Sequence, residues 1–374
     1  MNIAKIFFGN FRNFAELNLN LDAAVNIFLG KNAQGKTNIL EAINFISLGR
    51  SRATKDFELV RWNQDTALIR INFFKADVSH DLAVEISADK RRRRILFEGN
   101  SIKFRDLIGK LNSVLFSPED LFMFKGAPAA RRKFLDGTIA QASPIFFIEL
   151  TTYNRLVEQR NNLLKKIREG FAAPNNLEIW NEQLAAAAAK VTIRRRAALD
   201  KLNVLADFMQ QKISAQTENL SIAYDMRGLQ DLSPPQNFNA DYLSDWYFKN
   251  FKARNYFDIK RGSTSLGPHL DDLQFFINDK EIRQYGSQGQ IRTATLALKL
   301  SEMQLLKDAT GEYPILLLDD VMSELDAARR EQLLAFLLRE KIQTLITATE
   351  KAYFPAQIAA KIFYVESGTV REKL

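Results

Sequence analysis

The chain carries a strand, a glycine-rich loop and a helix in the order that builds a phosphate-binding loop. Residues 30–37 read GKNAQGKT, which fits the pattern G-x-x-x-x-G-K-[ST]. Val25–Leu29 is a short apolar run typical of a buried strand, and residues 38–48 are apolar at helical spacing. This arrangement predicts an α/β fold and a chain that binds a nucleoside triphosphate.

Each residue type in the loop has a physical role. Glycines let backbone N–H groups wrap a β-phosphate, the Lys36 ammonium reaches β- and γ-phosphate oxygens, and the Thr37 hydroxyl binds Mg²⁺. We therefore predict ATP and Mg²⁺ as cofactors and Lys36 as a catalytic residue. The predicted nucleotide contacts of the loop are Gly30, Lys31, Asn32, Ala33, Gln34, Gly35, Lys36 and Thr37.

Composition narrows the class of protein. The 374 residues include 52 Lys and Arg against 44 Asp and Glu, a net charge of +8 that favours polyanionic partners such as DNA. The chain has no cysteine, which excludes disulfides, thiolate metal sites and cysteine nucleophiles. No apolar run approaches the ~18–20 residues of a membrane span, and the N-terminus has no signal-peptide pattern. We expect a cytoplasmic protein without a membrane partner.

A second half of the site is predicted almost three hundred residues after the loop. Residues 313–318 are mostly apolar and end in Asp319 and Asp320, as a buried parallel strand would at its C-terminal edge. We predict that Asp319 holds Mg²⁺ and that Asp320 orients or deprotonates the attacking water. The alternative is a strand that ends in a solvated acidic turn. The intact phosphate loop favours the first interpretation, because such a loop requires an acidic strand end of this kind.

The chain divides into three ranges that differ in composition and in the spacing of apolar residues. Residues 1–125 are predicted to hold the phosphate loop and a largely antiparallel sheet, with strands at 67–74, 82–86 and 91–97. Residues 126–255 are predicted to be a helical arm, because glycine nearly vanishes and Pro174 separates long helices with apolar residues at helical spacing. Residues 256–374 return to α/β patterning. The nucleotide fold is therefore predicted to be split by the arm, with its halves meeting in space.

Two short segments of the last range have the composition of helix starts. Ser287 precedes a predicted helix over 288–307, and exposed N–H groups at such a start can bind an anion. Asp326 closes the segment SELD and precedes a predicted helix over Ala327–Arg339. Taken alone, the motif S-x-G-Q at 287–290 is weak, and a polar helix cap would explain it.

Together these motifs resemble the ATPase heads of the ABC/SMC class and, more narrowly, the RecF family of bacterial recombination mediators. The segments that carry the resemblance span nearly the whole chain in the family's order. They are FRNF (11–14), GKNAQGKTNILEAI (30–43), GR (49–50), FSPEDL (116–121), RRKFLD (131–136), QRNNLLK (159–165), GPH (267–269), DDL (271–273), YGSQGQIRT (285–293) and LLLDDVMSELD (316–326).

The resemblance implies an ABC/SMC-type P-loop ATPase head, a mixed sheet plus an antiparallel subdomain, with an inserted helical arm domain. It also implies a composite site in an ATP-dependent homodimer. Ser287, Gly289 and Gln290 would contact the γ-phosphate held by the other protomer, and Asp326 would help to couple the two sites. The implied function is slow ATP hydrolysis that controls dimerisation on gapped or stalled-replication DNA, with RecR and RecO as partners in loading a recombinase.

Three rival classes and the DNA contacts stay open at this point. The rivals are a short SMC-like DNA-bridging ATPase, the nucleotide subunit of a membrane transporter and a P-loop kinase. The basic run KRRRR (90–94), the pair Arg131 and Arg132, and the run 194–196 are comparable candidates for phosphate contacts. A solvated face is an equal explanation for the first of them. No base-reading motif is present, so we expect recognition of DNA structure. His80 and His269 are too few for a histidine-rich metal site, and a hydrogen-bonded loop histidine is favoured for His269.

Overall fold

The architecture was obtained as a computed structural model that describes residues 1–49, 55–89, 92–227, 235–355 and 358–373. The chain forms two compact units. The sheet unit comprises Met1–Phe122, Met209–Thr217 and Gln288–Leu374, and the helical unit comprises Met123–Phe208 and Glu218–Ser287. The three-range division at residues 125 and 255 stays a prediction.

The strands and helices of the described residues follow in chain order. The strands are β1 (Asn2–Phe11), β2 (Phe14–Asn20), β3 (Val25–Leu29), β4 (Thr66–Lys75), β5 (Val78–Ser87), β6 (Arg92–Phe97), β7 (Asn100–Ile102), β8 (Ser113–Phe116), β9 (Leu220–Asp225), β10 (Asp272–Ile277), β11 (Lys280–Glu281), β12 (Ile315–Asp319), β13 (Thr344–Ala348), β14 (Ala360–Glu366) and β15 (Thr369–Glu372). The helices are α1 (Lys36–Leu48), α2 (Phe104–Leu107), α3 (Pro128–Ala142), α4 (Pro144–Arg168), α5 (Leu177–Ile213), α6 (Ala240–Arg261), α7 (Ile282–Tyr285), α8 (Gln288–Thr310) and α9 (Ala327–Arg339).

One sheet of the sheet unit is antiparallel, in the order β2-β1-β4-β5-β6-β7. Its strands alternate buried apolar and outward residues, as a sheet with one covered face requires. The predicted strands at 67–74 and 82–86 lie within β4 and β5. The predicted strand at 91–97 is β6, although residue 91 lies outside the described residues. The antiparallel part of the predicted fold is therefore confirmed.

The second sheet of the sheet unit joins strands from distant parts of the chain. Its order is β15-β14-β3-β13-β12-β8, and all neighbours except β14 and β15 are parallel. β3 and β12 are buried along their whole length, which explains why both read as continuous apolar runs. β3 lies between β13 and β14, so the two halves of the split fold meet in one sheet, as predicted.

The two sheets of this unit share a core with α1. One cluster of buried residues includes Phe8 and Ile69 from the antiparallel sheet, Ile43 from α1, and Leu317 and Leu345 from the mixed sheet. α1 ends at Leu48, and Gly49 follows with a positive φ of 60° that closes the last turn. This shared packing fixes α1, and with it the phosphate loop, against the edge of the mixed sheet.

The helical unit contains α3, α4, α6 and most of α5, with the small antiparallel sheet β11-β10-β9. The predicted break at Pro174 is confirmed, since α4 ends at Arg168 and α5 begins at Leu177. At 37 residues α5 is roughly 55 Å long. Within the described ranges, no helix combines the length and the apolar character needed to cross a membrane.

Candidate nucleotide-binding site

The phosphate loop connects the end of β3 to the start of α1, in the strand–loop–helix order that its motif requires. Gly35 has a φ of 110°, which L side chains rarely adopt. A Cβ at Gly35 would lie 2.4 Å from Asn13 Nδ2, and one at Gly30 would lie 2.3 Å from the Val365 carbonyl oxygen. Gly35 is therefore required by the curvature of the loop, and Gly30 by its close packing against Val365.

Lys36 folds back over the loop that precedes it. Its side chain is only 4% exposed, and Nζ donates hydrogen bonds to the carbonyl oxygens of Gly30 (2.8 Å) and Lys31 (3.0 Å). These bonds hold the ammonium group against the backbone of the loop. Lys31, Asn32 and Ala33 are exposed, so the loop is accessible to a ligand at these residues.

Thr37 and Asp319 meet although 282 positions separate them. The Thr37 hydroxyl donates to Asp319 Oδ1 at 2.8 Å. The same Oδ1 accepts a hydrogen bond from the Thr347 hydroxyl at 3.0 Å, at the end of the neighbouring strand β13. A hydroxyl and a carboxylate oxygen side by side form the hard-oxygen donor set that Mg²⁺ prefers. The residues therefore fit the predicted metal.

Asp320 follows the strand in a strained conformation. Its φ is 53°, in the left-handed region, and its N–H donates to Thr347 Oγ1 at 2.9 Å. Its carbonyl oxygen accepts a hydrogen bond from the Ser323 hydroxyl at 2.7 Å. Burial raises the pKa of the Asp320 carboxyl, the Lys36 ammonium opposes that rise, and the Asp319 charge adds to it. A carboxyl with a raised pKa is a better proton acceptor than an ordinary aspartate.

Several residues that support the site were missed from the sequence. Thr347 contacts both aspartates, and a polar residue at the end of a buried strand next to β12 is the signal that could have revealed it. Asn13 donates to the Gln34 carbonyl at 2.9 Å and accepts from Asn38 Nδ2 at 2.8 Å. Asn13 lies in the FRNF segment, which was noted only as part of the resemblance.

The predicted signature residues lie at the start of α8. Ser287 immediately precedes the helix, which begins at Gln288 as predicted, and Gly289 and Gln290 lie in its first turn. Ser287 and Gly289 are exposed. Asp326 caps α9, because its side chain accepts a hydrogen bond from the Arg329 N–H at 2.9 Å. These residues are thus displayed at helix starts, and their action on a second protomer stays a prediction.

Two predicted candidates for DNA contacts are wrong. Arg131 is buried and forms a bidentate ion pair with Asp272, with N–O distances of 2.7 and 2.9 Å. Arg195 is also buried and pairs in the same way with Asp136, at 2.8 and 2.9 Å. Both guanidinium groups serve the interior of the helical unit, so neither can reach a phosphate.

The remaining DNA candidates are partly engaged. Arg132 donates to the Asp271 carbonyl oxygen, Arg194 pairs with Glu149, and Arg196 lies over the Phe238 ring. In the run 90–94, Arg94 is exposed and Arg93 pairs with Asp56 at 3.3 Å, whereas residues 90 and 91 lie outside the described residues.

The histidines have hydrogen-bond partners. His269 Nδ1 lies 2.5 Å from the Tyr153 hydroxyl, as expected of a hydrogen-bonded loop histidine. His80 Nδ1 lies 2.9 Å from Glu98 Oε1. Among the described residues, no cluster of three or more histidine, aspartate or glutamate side chains could hold a metal ion.

Comparisons with known proteins agree over the whole chain. The family model of the RecF/RecN/SMC N-terminal domain matches residues 2–371. A DNA replication and repair protein RecF from Alkaliphilus oremlandii is 39% identical over 366 residues, which cover 96% of this chain and 97% of that protein. The RecF of Halalkalibacterium halodurans is 37% identical, with full coverage of both chains.

Solved structures give the same result. A structure of the recombination mediator protein RecF with ATP, in the RecFOR pathway, matches with a TM-score of 0.92 and 35% identity, over 100% of this chain and 98% of that chain. An Smc head bound to the C-winged helix domain of ScpA matches with a TM-score of 0.55 and 15% identity, over 100% and 97% of the two chains. The second likeness shows a common fold.

Proposed function

The chain belongs to the RecF family, and from that premise we propose that ATP switches its self-association on DNA. Its fold is that of an ABC/SMC-type ATPase head, and the chain is an ATPase. The proposal rests on one observation above all. The phosphate-loop Thr37 and the strand-end Asp319 lie 2.8 Å apart, with Lys36 over the same loop. A nucleoside triphosphate and its metal need this combination of an ammonium group, a hydroxyl and a carboxylate.

We assign the nucleotide contacts on that basis. Backbone N–H groups of residues 30–37 surround the β-phosphate, and Lys36 exchanges its carbonyl partners for β- and γ-phosphate oxygens. Thr37 and Asp319 would hold Mg²⁺, which supplies charge neutralisation of the phosphates when bound.

Asp320 is the proposed general base. Its carboxylate takes a proton from a water molecule as the water oxygen attacks the γ-phosphorus, and ADP and phosphate leave. The bond between the Asp320 N–H and Thr347 Oγ1 holds the backbone of Asp320 at the end of β12, and the charge of Lys36 acts on its carboxyl group. The raised pKa of the Asp320 carboxyl suits this role, because a carboxylate with a higher pKa is a stronger general base.

The second part of the proposal is a two-fold dimer with ATP in its interface. Ser287, Gly289 and Gln290 are displayed at the start of α8, where helix N–H groups favour an anion. In a head-to-tail pair they would contact the γ-phosphate of the other protomer, and Asp326 would help to couple the two sites. Loss of that phosphate on hydrolysis weakens the interface, so ATP biases a monomer–dimer equilibrium.

The cellular role follows from the relatives. Proteins of this family carry the name DNA replication and repair protein, and a solved relative is described as a recombination mediator. We propose that this chain acts in the cytoplasm on gapped or stalled-replication DNA. There it would work with RecR and RecO in loading a recombinase onto single-stranded DNA. The net charge of +8 supports a polyanionic partner.

Analytical sedimentation of the whole chain tests the proposal. The chain would be run alone, with ATP, with ADP, and with each nucleotide plus a labelled DNA that carries a single-stranded gap. We expect a dimer only with ATP, and slower release of gapped DNA with ATP than with ADP. A monomer in every nucleotide state would contradict the switch, and absence of DNA binding would contradict the role in repair.

A further inference from the structure

The C-terminal half of α6 presents aromatic rings and cations to solvent in alternation. Tyr256 is 82% exposed and Phe257 is 49% exposed. Lys252 and Lys260 lie one turn before and one turn after Tyr256, and all three share a helix face. Arg261 lies one turn after Phe257 in the adjacent row and is exposed. Exposed rings flanked by cations at each turn are unusual on a helix face that contacts only solvent.

The end of α4 extends this face. Ile259 of α6 packs on the small apolar cluster of Leu164, Ile167 and Leu177, which brings the C-terminal turns of α4 and α6 together. The last turn of α4 adds Lys165, Lys166 and Arg168, and Phe171 in the following turn is 80% exposed. We call residues 165–171 and 252–261 together the basic aromatic face.

The charge of this face is strongly one-sided. Its exposed carboxylate, Glu169, lies 3.8 Å from Arg168, and Asp258 is buried against Arg160 at 2.7 Å. Lys252 lies 3.3 Å from Glu178 Oε1 of α5. Within the described part of the chain, Lys165, Lys166 and Lys260 have no carboxylate within ion-pair distance. Cations in a last helical turn also complement the helix dipole. That effect accounts for the lysines but gives no reason for three exposed rings among them.

We propose that the basic aromatic face binds single-stranded DNA. The cations would contact phosphates, and Tyr256, Phe257 and Phe171 would stack on bases. Single strands are favoured over duplex because stacking needs bases that are free of a partner strand. The inference rests on the proposed function, since a gapped DNA supplies the single-stranded segment. It assigns that segment to the helical unit.

The test measures binding of the full chain to a fluorescent oligothymidylate and to a duplex of equal length by anisotropy. Tyr256→Ala removes a ring that is almost entirely exposed, and Tyr256→Phe keeps the ring. We expect the alanine variant to bind the single strand at least about fivefold more weakly, and the phenylalanine variant to match wild type. Lys252→Gln with Lys260→Gln should lower the slope of log affinity against log salt by about 1.4.

Matched controls separate this face from general effects. Trp62→Ala removes another exposed ring, which lies in the sheet unit, and Lys190→Gln with Lys201→Gln removes two exposed lysines of α5. Both controls should leave single-strand affinity unchanged. Wild-type affinity in Tyr256→Ala and in the Lys252/Lys260 variant would overturn this inference alone. A wild-type chain that binds neither gapped nor single-stranded DNA would overturn the proposed function as well.

A charge-only mode of binding is a further distinct outcome. In that case the lysine variant would weaken duplex and single strand equally, and Tyr256→Ala would have no effect on either. Such a result would contradict the stacking that selects single strands. The variants' retained ATP-dependent sedimentation would show that the sheet unit is intact in each of them.

Discussion

Lys36 has its ammonium group in a nearly buried position, with two backbone carbonyls as its hydrogen-bond partners. A phosphate would replace those neutral partners with negatively charged oxygens, so the ammonium group would gain a Coulomb attraction that the carbonyls do not supply. We expect Lys36→Ala to abolish ATP binding and ATP-dependent dimerisation, as measured by titration calorimetry and sedimentation. Lys31→Ala is the control, because Lys31 is exposed and its predicted contact uses the backbone. Binding that survives in Lys36→Ala would contradict the assigned role.

Asp320 is expected to act on the chemical step and to leave binding intact. Asp320→Asn keeps the shape of the side chain but cannot accept a proton, so we expect unchanged ATP affinity and hydrolysis slowed by about 100-fold or more. A base works only when deprotonated, so the wild-type rate should fall as pH drops through the Asp320 pKa. Rapid hydrolysis by Asp320→Asn would exclude this residue as the base.

At the scale of secondary-structure elements, the sequence predicted those with strong local signals. The ranges Val25–Leu29 and Ala327–Arg339 were predicted as observed, because a continuous apolar run and a capped amphipathic pattern mark them. α6 was missed. Its apolar residues lie on all sides, since Tyr247 and Phe251 are buried while Tyr256 and Phe257 are exposed. Apolar residues recur at helical spacing in a sequence when only one face of the helix is buried. The sequence of α6 shows little of this spacing.

The site divides in the same way. Motif spacing located Lys36 and Asp319, because phosphate and metal chemistry demands those residue types at those places. Thr347 and Asn13 act through contacts that exist only after folding, since Thr347 reaches β12 from a neighbouring strand and Asn13 reaches the loop from a turn. A single threonine or asparagine carries no spacing signal. The tertiary partners of a motif therefore could not be predicted from it.

The segment before β10 holds a half-buried histidine and a buried aspartate with opposite pH dependence. Burial lowers the pKa of His269 from 6.5 to about 4, and burial raises the pKa of Asp271 from 3.8 to about 6. Between pH 6.5 and about 4 the unfolded chain binds a proton at His269 and the folded chain does not. The contribution of His269 to the free energy of unfolding therefore falls as the pH falls through this range. The folded chain binds a proton at Asp271 more tightly than the unfolded chain does. The contribution of Asp271 to the free energy of unfolding therefore rises as the pH falls from about 6 to 3.8.

The two contributions should nearly cancel between pH 6 and 4, and single substitutions should separate them. We expect His269→Gln to lose less unfolding free energy than wild type between pH 7 and 5, and Asp271→Asn to lose more. Each group contributes up to about 1.4 kcal/mol per pH unit inside its window. Urea unfolding of the three chains at both pH values measures this. Parallel pH profiles for all three would contradict the assignment.

On the scale of the whole molecule, the mixed sheet makes the site depend on both ends of the chain. β3 comes from residues 25–29, whereas its neighbours β13 and β14 come from beyond residue 343. The strand that leads into the phosphate loop is thus held between two strands that are distant from it in the sequence. The contact of Thr37 with Asp319 forms only when these strands have paired, so nucleotide binding reports the assembly of the complete sheet unit.

The dimer extends the same logic to a second copy of the chain. Ser287 is exposed at the start of α8, so an arginine there adds bulk without disturbing a core. We expect Ser287→Arg to bind ATP with wild-type affinity as a monomer and to fail to dimerise, because the added side chain blocks the approach of the partner's γ-phosphate. Ser101→Arg makes the same exchange at an exposed residue of β7 and should dimerise normally. Normal ATP-dependent dimerisation of Ser287→Arg in sedimentation would refute the composite site.

Mixing two defective chains provides the sharper form of this test. Lys36→Ala lacks a working phosphate loop but keeps Ser287, and Ser287→Arg keeps the loop but lacks the signature. In a head-to-tail pair of the two, one site combines the intact loop of one chain with the intact serine of the other, and the second site has neither. We therefore expect the mixture with ATP to form a weak dimer that neither variant forms alone. Labelling each variant with a different fluorophore and measuring energy transfer would detect it. If the mixture stays as monomeric as its components while wild type dimerises, the serine does not act across the interface, and ATP must control association by another route.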